Sequence, residues 1–181
     1  TSTTAPPNDD ITGAPRNDGF IDIGAYEWRC PIGNTLYVDA NIVNSGNGTS
    51  WASAFKSLDQ ALAVAHCCTG VKNIYVAQGT YTPTKKPYNG CTEMTTTDPR
   101  DKTFHLRDGL KLWGGYPTGG GIRNYKVHVT TLSGDFSGND GVTGSGSTFS
   151  ITGNTENAYH VVLSSAPSSG GLGVTLDGFE I

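Results

Sequence analysis

The sequence predicts an all-β protein, a parallel β-solenoid started by one short α-helix. Three observations carry that expectation. After Gly70 the chain is a series of short aliphatic or β-branched runs, with Gly, Asn or Pro in almost every gap. One amphipathic helical pattern, at 57–66, stands ahead of those runs. A weak repeat recurs in them: Leu110-Lys111-Leu112-Trp113-Gly114, Thr130-Thr131-Leu132-Ser133-Gly134 and Val174-Thr175-Leu176-Asp177-Gly178. A period of about 20–25 residues with one strand-turn unit per step is the mark of stacked rungs.

The bulk composition agrees. A chain of 181 residues is long enough for one domain with a core. Only 15% of residues are charged, which argues against polyelectrolyte disorder. The net charge of −4 excludes a phosphate-tracking nucleic-acid binder. The best basic group, Lys85, Lys86, Arg100, Lys102 and Arg107, is interrupted by acidic residues. No apolar run of about 18 residues occurs, so no membrane span is expected.

Three parts follow in order. Residues 1–33 read as a proline-containing tail and a short terminal strand at 20–28, with Ile21, Ile23, Tyr26 and Trp28 as its apolar positions. Residues 34–70 form a cap: a short strand at 36–39, a turn-rich stretch, then the helix at 57–66. Ser57 is its N-cap candidate, with Gln60 at capping-box spacing. Leu58, Ala61, Leu62 and Ala65 make its apolar face, and Gly70 lies beyond its end. Residues 71–181 supply the rungs and end in mid-rung, so the chain reads as a segment of something longer.

The four cysteines, Cys30, Cys67, Cys68 and Cys91, fit disulfides in an oxidising compartment. Zinc would want paired C-x-x-C spacing, which is missing. A bond between adjacent Cys67 and Cys68 is strained, so each is expected to reach a distant partner, Cys30 or Cys91, with the pairing open.

No catalytic set is expected. Glycosidic hydrolysis needs two carboxyl groups on one face, and none is visible. The charged group at 98–107, which contains Arg100-Asp101-Lys102, reads first as a solvated loop. The four histidines lack paired spacing. No cofactor is expected except calcium, for which Asp135, Asn139 and Asp140 are the candidate oxygen ligands; an Asx-stabilised turn is the competing reading. Tyr81, Tyr88, Trp113, Tyr116 and Tyr125 are candidate stacking residues for sugars. Tyr88, Trp113 and Tyr116 lead that set, against the alternative that Trp113 packs at a corner.

Leu36-Tyr37-Val38-Asp39-Ala40, Trp51-Ala52-Ser53-Ala54-Phe55 and Ile74-Tyr75-Val76-Ala77 resemble the cap and first rung of pectin-lyase-like right-handed parallel β-helix proteins. Many of these are bacterial surface or secreted chains, some described as polymorphic outer-membrane-like or adhesin-like. Ile21-Asp22-Ile23-Gly24-Ala25-Tyr26-Glu27 resembles the motif that ends such a β-helix. The resemblance implies a right-handed coil and an extracellular structural or adhesive role, as a stalk, filament or repeat segment. Other copies or adjacent repeats would then be partners, assembled head-to-tail through the 20–28 strand. It implies as alternatives a fragment of a polysaccharide lyase or glycoside hydrolase, or a calcium-dependent carbohydrate-binding module.

Overall fold

The computed structural model describes residues 30–165 and 170–181. The chain divides into two units, Thr1–Pro31 and Ile32–Ile181, and the elements below belong to the second. The predicted strand at 20–28, with Ile21, Ile23, Tyr26 and Trp28, lies outside the described residues.

The elements run β1 (Thr35–Val38), α1 (Leu58–Cys67), β2 (Asn73–Ala77), β3 (Gly79–Tyr81), β4 (Tyr88–Asn89), β5 (Thr92–Glu93), β6 (Phe104–Arg107), β7 (Lys111–Tyr116), β8 (Thr130–Leu132), β9 (Gly141–Thr143), β10 (Ser150–Thr152), β11 (Val162–Ser165) and β12 (Thr175–Asp177). The largest sheet is parallel, in the order β1-β2-β7-β12. Its register stacks Leu36, Ile74, Leu112 and Leu176 in one inward column. Val38 and Val76 pair beside them. The period-2 alternation of a strand sends the intervening residues to the other face.

The expected right-handed parallel β-helix is corrected by this topology. The described strands fall into separate small sheets, one of four strands and four of two. Two pairs, β4 with β5 and β9 with β10, are antiparallel. The physical reason lies in the repeat. Equal rungs require each copy to stack on the one before it. Instead Leu112 and Leu176, from the first and third copies, are direct neighbours. Leu132, from the second copy, pairs with Tyr81 in another sheet. Glycine-rich excursions of unequal length separate the strands, so no single period governs the stacking.

The helix forms where the pattern places it, shifted by one residue. Ser57 is the N-cap: its Oγ accepts from the Asp59 amide at 3.1 Å, while Gln60 Oε1 accepts from the Ser57 amide at 3.2 Å. At the other end the Arg107 guanidinium donates to the carbonyls of Ala65 (2.5 Å), Cys68 (3.4 Å) and Val71. A cation on the last carbonyls also complements the helix dipole. The helix packs on β6 and β1. Its buried face joins Leu36, Ile74, Phe104, Leu106, Leu110, Leu112 and Leu132 in one apolar cluster. Each such side chain stabilises the fold by roughly 1.5–3 kcal/mol on burial.

Three polar side chains inside this layer, Asp59, His66 and His105, have specific partners. Asp59 accepts from the Thr84 amide at 2.8 Å and from its hydroxyl at 2.6 Å. His66 bonds the His105 carbonyl at 2.9 Å through Nε2, and His105 Nδ1 accepts from the Tyr88 amide at 2.9 Å. That bond fixes the neutral His105 ring with its proton on Nε2.

Candidate functional site

The outward face of the four-stranded sheet carries aromatic side chains from four separate stretches of chain. The register sets Tyr37 beside Tyr75 and Tyr75 beside Trp113. These three are therefore one column, each half-buried, and neighbours stand one strand spacing apart, roughly 4.8 Å. The column continues to Asp177 on β12.

Tyr116 reaches the same face through an irregularity. Tyr75 pairs with Trp113, yet Ala77 pairs with Tyr116, so β7 holds one extra residue between the two pairs. Such a bulge re-aims the side chain that follows it. Gly114-Gly115 occupies the bulge, and Gly115 has φ +89°, a conformation that other residues rarely adopt. Tyr116 then stacks on Tyr75 with centroids 5.0 Å apart and planes 24° apart.

Trp51 completes the group from a short 3₁₀ turn, Trp51–Ser53, capped by Ser50. Its ring lies 5.1 Å from Tyr37 and 5.2 Å from Tyr116. Tyr37 meets Tyr75 edge-on at 5.7 Å. Four rings thus close a circuit: Tyr37, Trp51, Tyr116, Tyr75. Aromatic pairs of this geometry contribute about 0.5–1.5 kcal/mol each beyond their burial. The loop after β7 passes over Trp51 at Gly120, where φ is +87° and any side chain would collide with the indole.

Polar groups border the rings. The Trp113 indole N–H donates to Asn73 Oδ1 at 3.3 Å. The Arg123 guanidinium lies 5.5 Å from the Trp113 centroid and 5.7 Å from that of Tyr125. Arg123 also pairs with Asp177 and donates to the Gly114 carbonyl at 2.7 Å. A cavity of about 370 Å³, lined by Tyr125, Thr130, Asp177, Phe179 and Glu180, adjoins this end of the face. The surface therefore combines flat apolar rings with hydrogen-bonding groups at the rim.

The structure places Trp113 and Tyr116 on this face and Tyr88 elsewhere. Tyr88 is buried, with its ring stacked on His66 at 4.5 Å. Tyr81 is buried as well, donating to the Ala77 carbonyl at 3.0 Å. The sequence reading missed Tyr37, Trp51 and Tyr75. A usable signal was present: Leu36-Tyr37-Val38 and Ile74-Tyr75-Val76 share an aliphatic-aromatic-aliphatic triplet, and Leu112-Trp113-Gly114 opens the same way.

Asp135, Asn139 and Asp140 share a loop but face different partners. Asp135 Oδ1 accepts from the amides of Ser137 (3.1 Å) and Gly138 (2.6 Å), and Oδ2 from that of Asp140 (3.1 Å). These amides, that of Asp140 foremost, hold its carboxyl below the usual range. Asp140 accepts from Asn157 Nδ2 at 2.7 Å. With its side-chain amide turned so that nitrogen faces acceptors, Asn139 Nδ2 donates to Glu156 Oε1 at 2.6 Å. Among the described residues no cluster of three or more His, Cys, Asp or Glu side chains is placed to hold a metal ion.

Arg100 and Asp101 line a second cavity, about 160 Å³, with Thr96, Tyr159 and His160. Arg100 sits 4.3 Å above the Tyr159 ring and donates to the Asn157 carbonyl at 2.7 Å. Lys102 lies over Phe136 at 5.1 Å. The cations of the Arg-x-Lys element are thus both engaged with aromatic rings.

Of the cysteines, Cys30 and Cys68 are disulfide-bonded, whereas Cys67 and Cys91 carry thiols. No helix among the described residues is long and apolar enough to cross a membrane. Comparison with protein-family models, with curated proteins and with solved structures yields no match for this chain.

Proposed function

We propose that this chain is an extracellular adhesive module that holds polysaccharide on the aromatic face of β1, β2 and β7. The observation that carries this reading is the half-buried column Tyr37–Tyr75–Trp113, joined by Trp51 and Tyr116. Sugar rings present apolar C–H faces to aromatic rings and hydroxyl groups to a polar rim. Concave or ridged surfaces with rings at the centre and a few convergent polar groups suit such ligands. Asn73, Arg123 and Asp177 provide that rim. The disulfide-bonded Cys30 and Cys68 accord with an extracellular setting.

Retention on a panel of insoluble neutral and uronate polysaccharides tests the proposal. The wild-type protein is expected to bind at least one of them. Trp113→Ala and Tyr75→Ala are each expected to weaken that binding about tenfold, equivalent to ~1.4 kcal/mol. Retention by none, or retention untouched by both substitutions in folded protein, would overturn it. Release of new reducing ends or unsaturated products would reassign the chain to polysaccharide cleavage.

A further inference from the structure

Two thiols from distant parts of the chain meet away from the aromatic face. Cys67 is the last residue of α1, and its Sγ lies 3.8 Å from the Cys91 carbonyl oxygen. That contact brings the backbone of Cys91 against the Cys67 thiol, and Cys91 is among the groups that act on it electrostatically. Cys91 stands in the tight turn between β4 and β5. Tyr88 pairs with Glu93 and Asn89 with Thr92, which leaves Gly90 and Cys91 as a two-residue loop. Gly90 has φ +59°, as the first position of such a hairpin turn demands.

The hairpin is anchored so that this encounter persists. Tyr88, at its base, stacks on His66, the helix residue immediately before Cys67. Glu93 pairs with Lys85 at 3.1 Å and accepts from the Lys86 amide at 2.9 Å. Tyr88 thus ties the hairpin to the last turn of the helix, and Glu93 ties its second strand to the segment just before its first.

We propose that Cys67 and Cys91 form a second disulfide, which fastens the β4–β5 hairpin to the C-terminal end of α1. The oxidant is a small-molecule disulfide of the kind found in oxidising compartments. Cys91 is exposed and reacts first. Its thiolate attacks one sulfur of the oxidant, forming a mixed disulfide and expelling one small thiolate. Cys67 then attacks Cys91 Sγ, the mixed S–S bond breaks, and the second small thiolate leaves with the proton that Cys67 gives up. Two protein thiols are oxidised and one small disulfide is reduced to two thiols. The order follows from the thiols: burial, then the neighbouring Cys91, pushes the Cys67 thiol up to about 12.

Incubation of the full chain with oxidised glutathione, followed by intact mass and non-reducing peptide mapping, tests this. The expected product has lost both free thiols and about 2 Da, and links the peptide of Cys67 to that of Cys91. The Cys91→Ser protein should retain one thiol at Cys67 and show a lower unfolding midpoint than the oxidised wild type. Glutathione adducts retained on both cysteines, two persisting thiols, or Cys67 linked to Cys30 or Cys68 would each overturn the proposal.

Discussion

Tyr75 and Tyr116 stack at 5.0 Å although a regular β7 would turn them to opposite faces of the sheet. The extra residue at Gly114-Gly115 is what unites them. The aromatic face is thus a product of backbone irregularity as much as of strand pairing.

That dependence predicts the effect of Gly115→Ala. The residue has φ +89° and lies against the Tyr125 backbone. A side chain there meets both strain and collision, costing about 1–3 kcal/mol. Urea unfolding should show the loss, and near-ultraviolet circular dichroism should show disturbed Tyr and Trp packing. Unchanged stability and spectrum would place the bulge elsewhere.

The core prediction concerns Leu112. It is fully buried at the centre of the inward column. Leu112→Ala should destabilise the protein by roughly 2–5 kcal/mol, as transfer and cavity effects combine. The check is a urea titration in which the midpoint falls while the slope holds.

Helix termination gives a third. Arg107 donates to the carbonyls of Ala65, Cys68 and Val71. Arg107→Ala leaves those acceptors without a charged donor and should cost about 1–3 kcal/mol. Hydrogen exchange should quicken first in the last turn of α1.

Acid sensitivity gives a fourth. Burial holds both His66 and His105 below the ordinary histidine value of 6.5. The unfolded chain therefore binds protons on these rings at a pH where the folded chain does not. Their contribution to stability is complete above about pH 6.5 and is lost as the pH falls from there through the lower folded values. Protonating His105 also removes the acceptor for the Tyr88 amide. The midpoint of urea unfolding should fall between about pH 7.5 and 5, and His66→Gln with His105→Asn should flatten that fall. A flat wild-type profile would contradict it.

The helix was legible because its signals are local: a cap at Ser57, Gln60 three residues on, and apolar residues at helical spacing. The short strands were legible for the same reason. Their arrangement was not, because pairing is set between segments far apart. The Gly-containing copies at Leu112, Leu132 and Leu176 looked equivalent, yet their surroundings differ: two share a sheet and one does not. Trp113 and Tyr116 stood out beside glycines. Tyr37 and Tyr75 became part of the same face only through register, which sequence spacing does not reveal. Tyr88 had the same composition signals as Trp113, but His66 buries it.

The most direct test of glycan binding on the aromatic face is to map nuclear magnetic resonance shifts while a retained oligosaccharide is added. The side-chain and backbone signals of Tyr37, Trp51, Tyr75, Trp113 and Tyr116 should move together and saturate at one dissociation constant. Shifts confined instead to the cavity of Arg100, Tyr159 and His160, with those five residues still, would contradict the account.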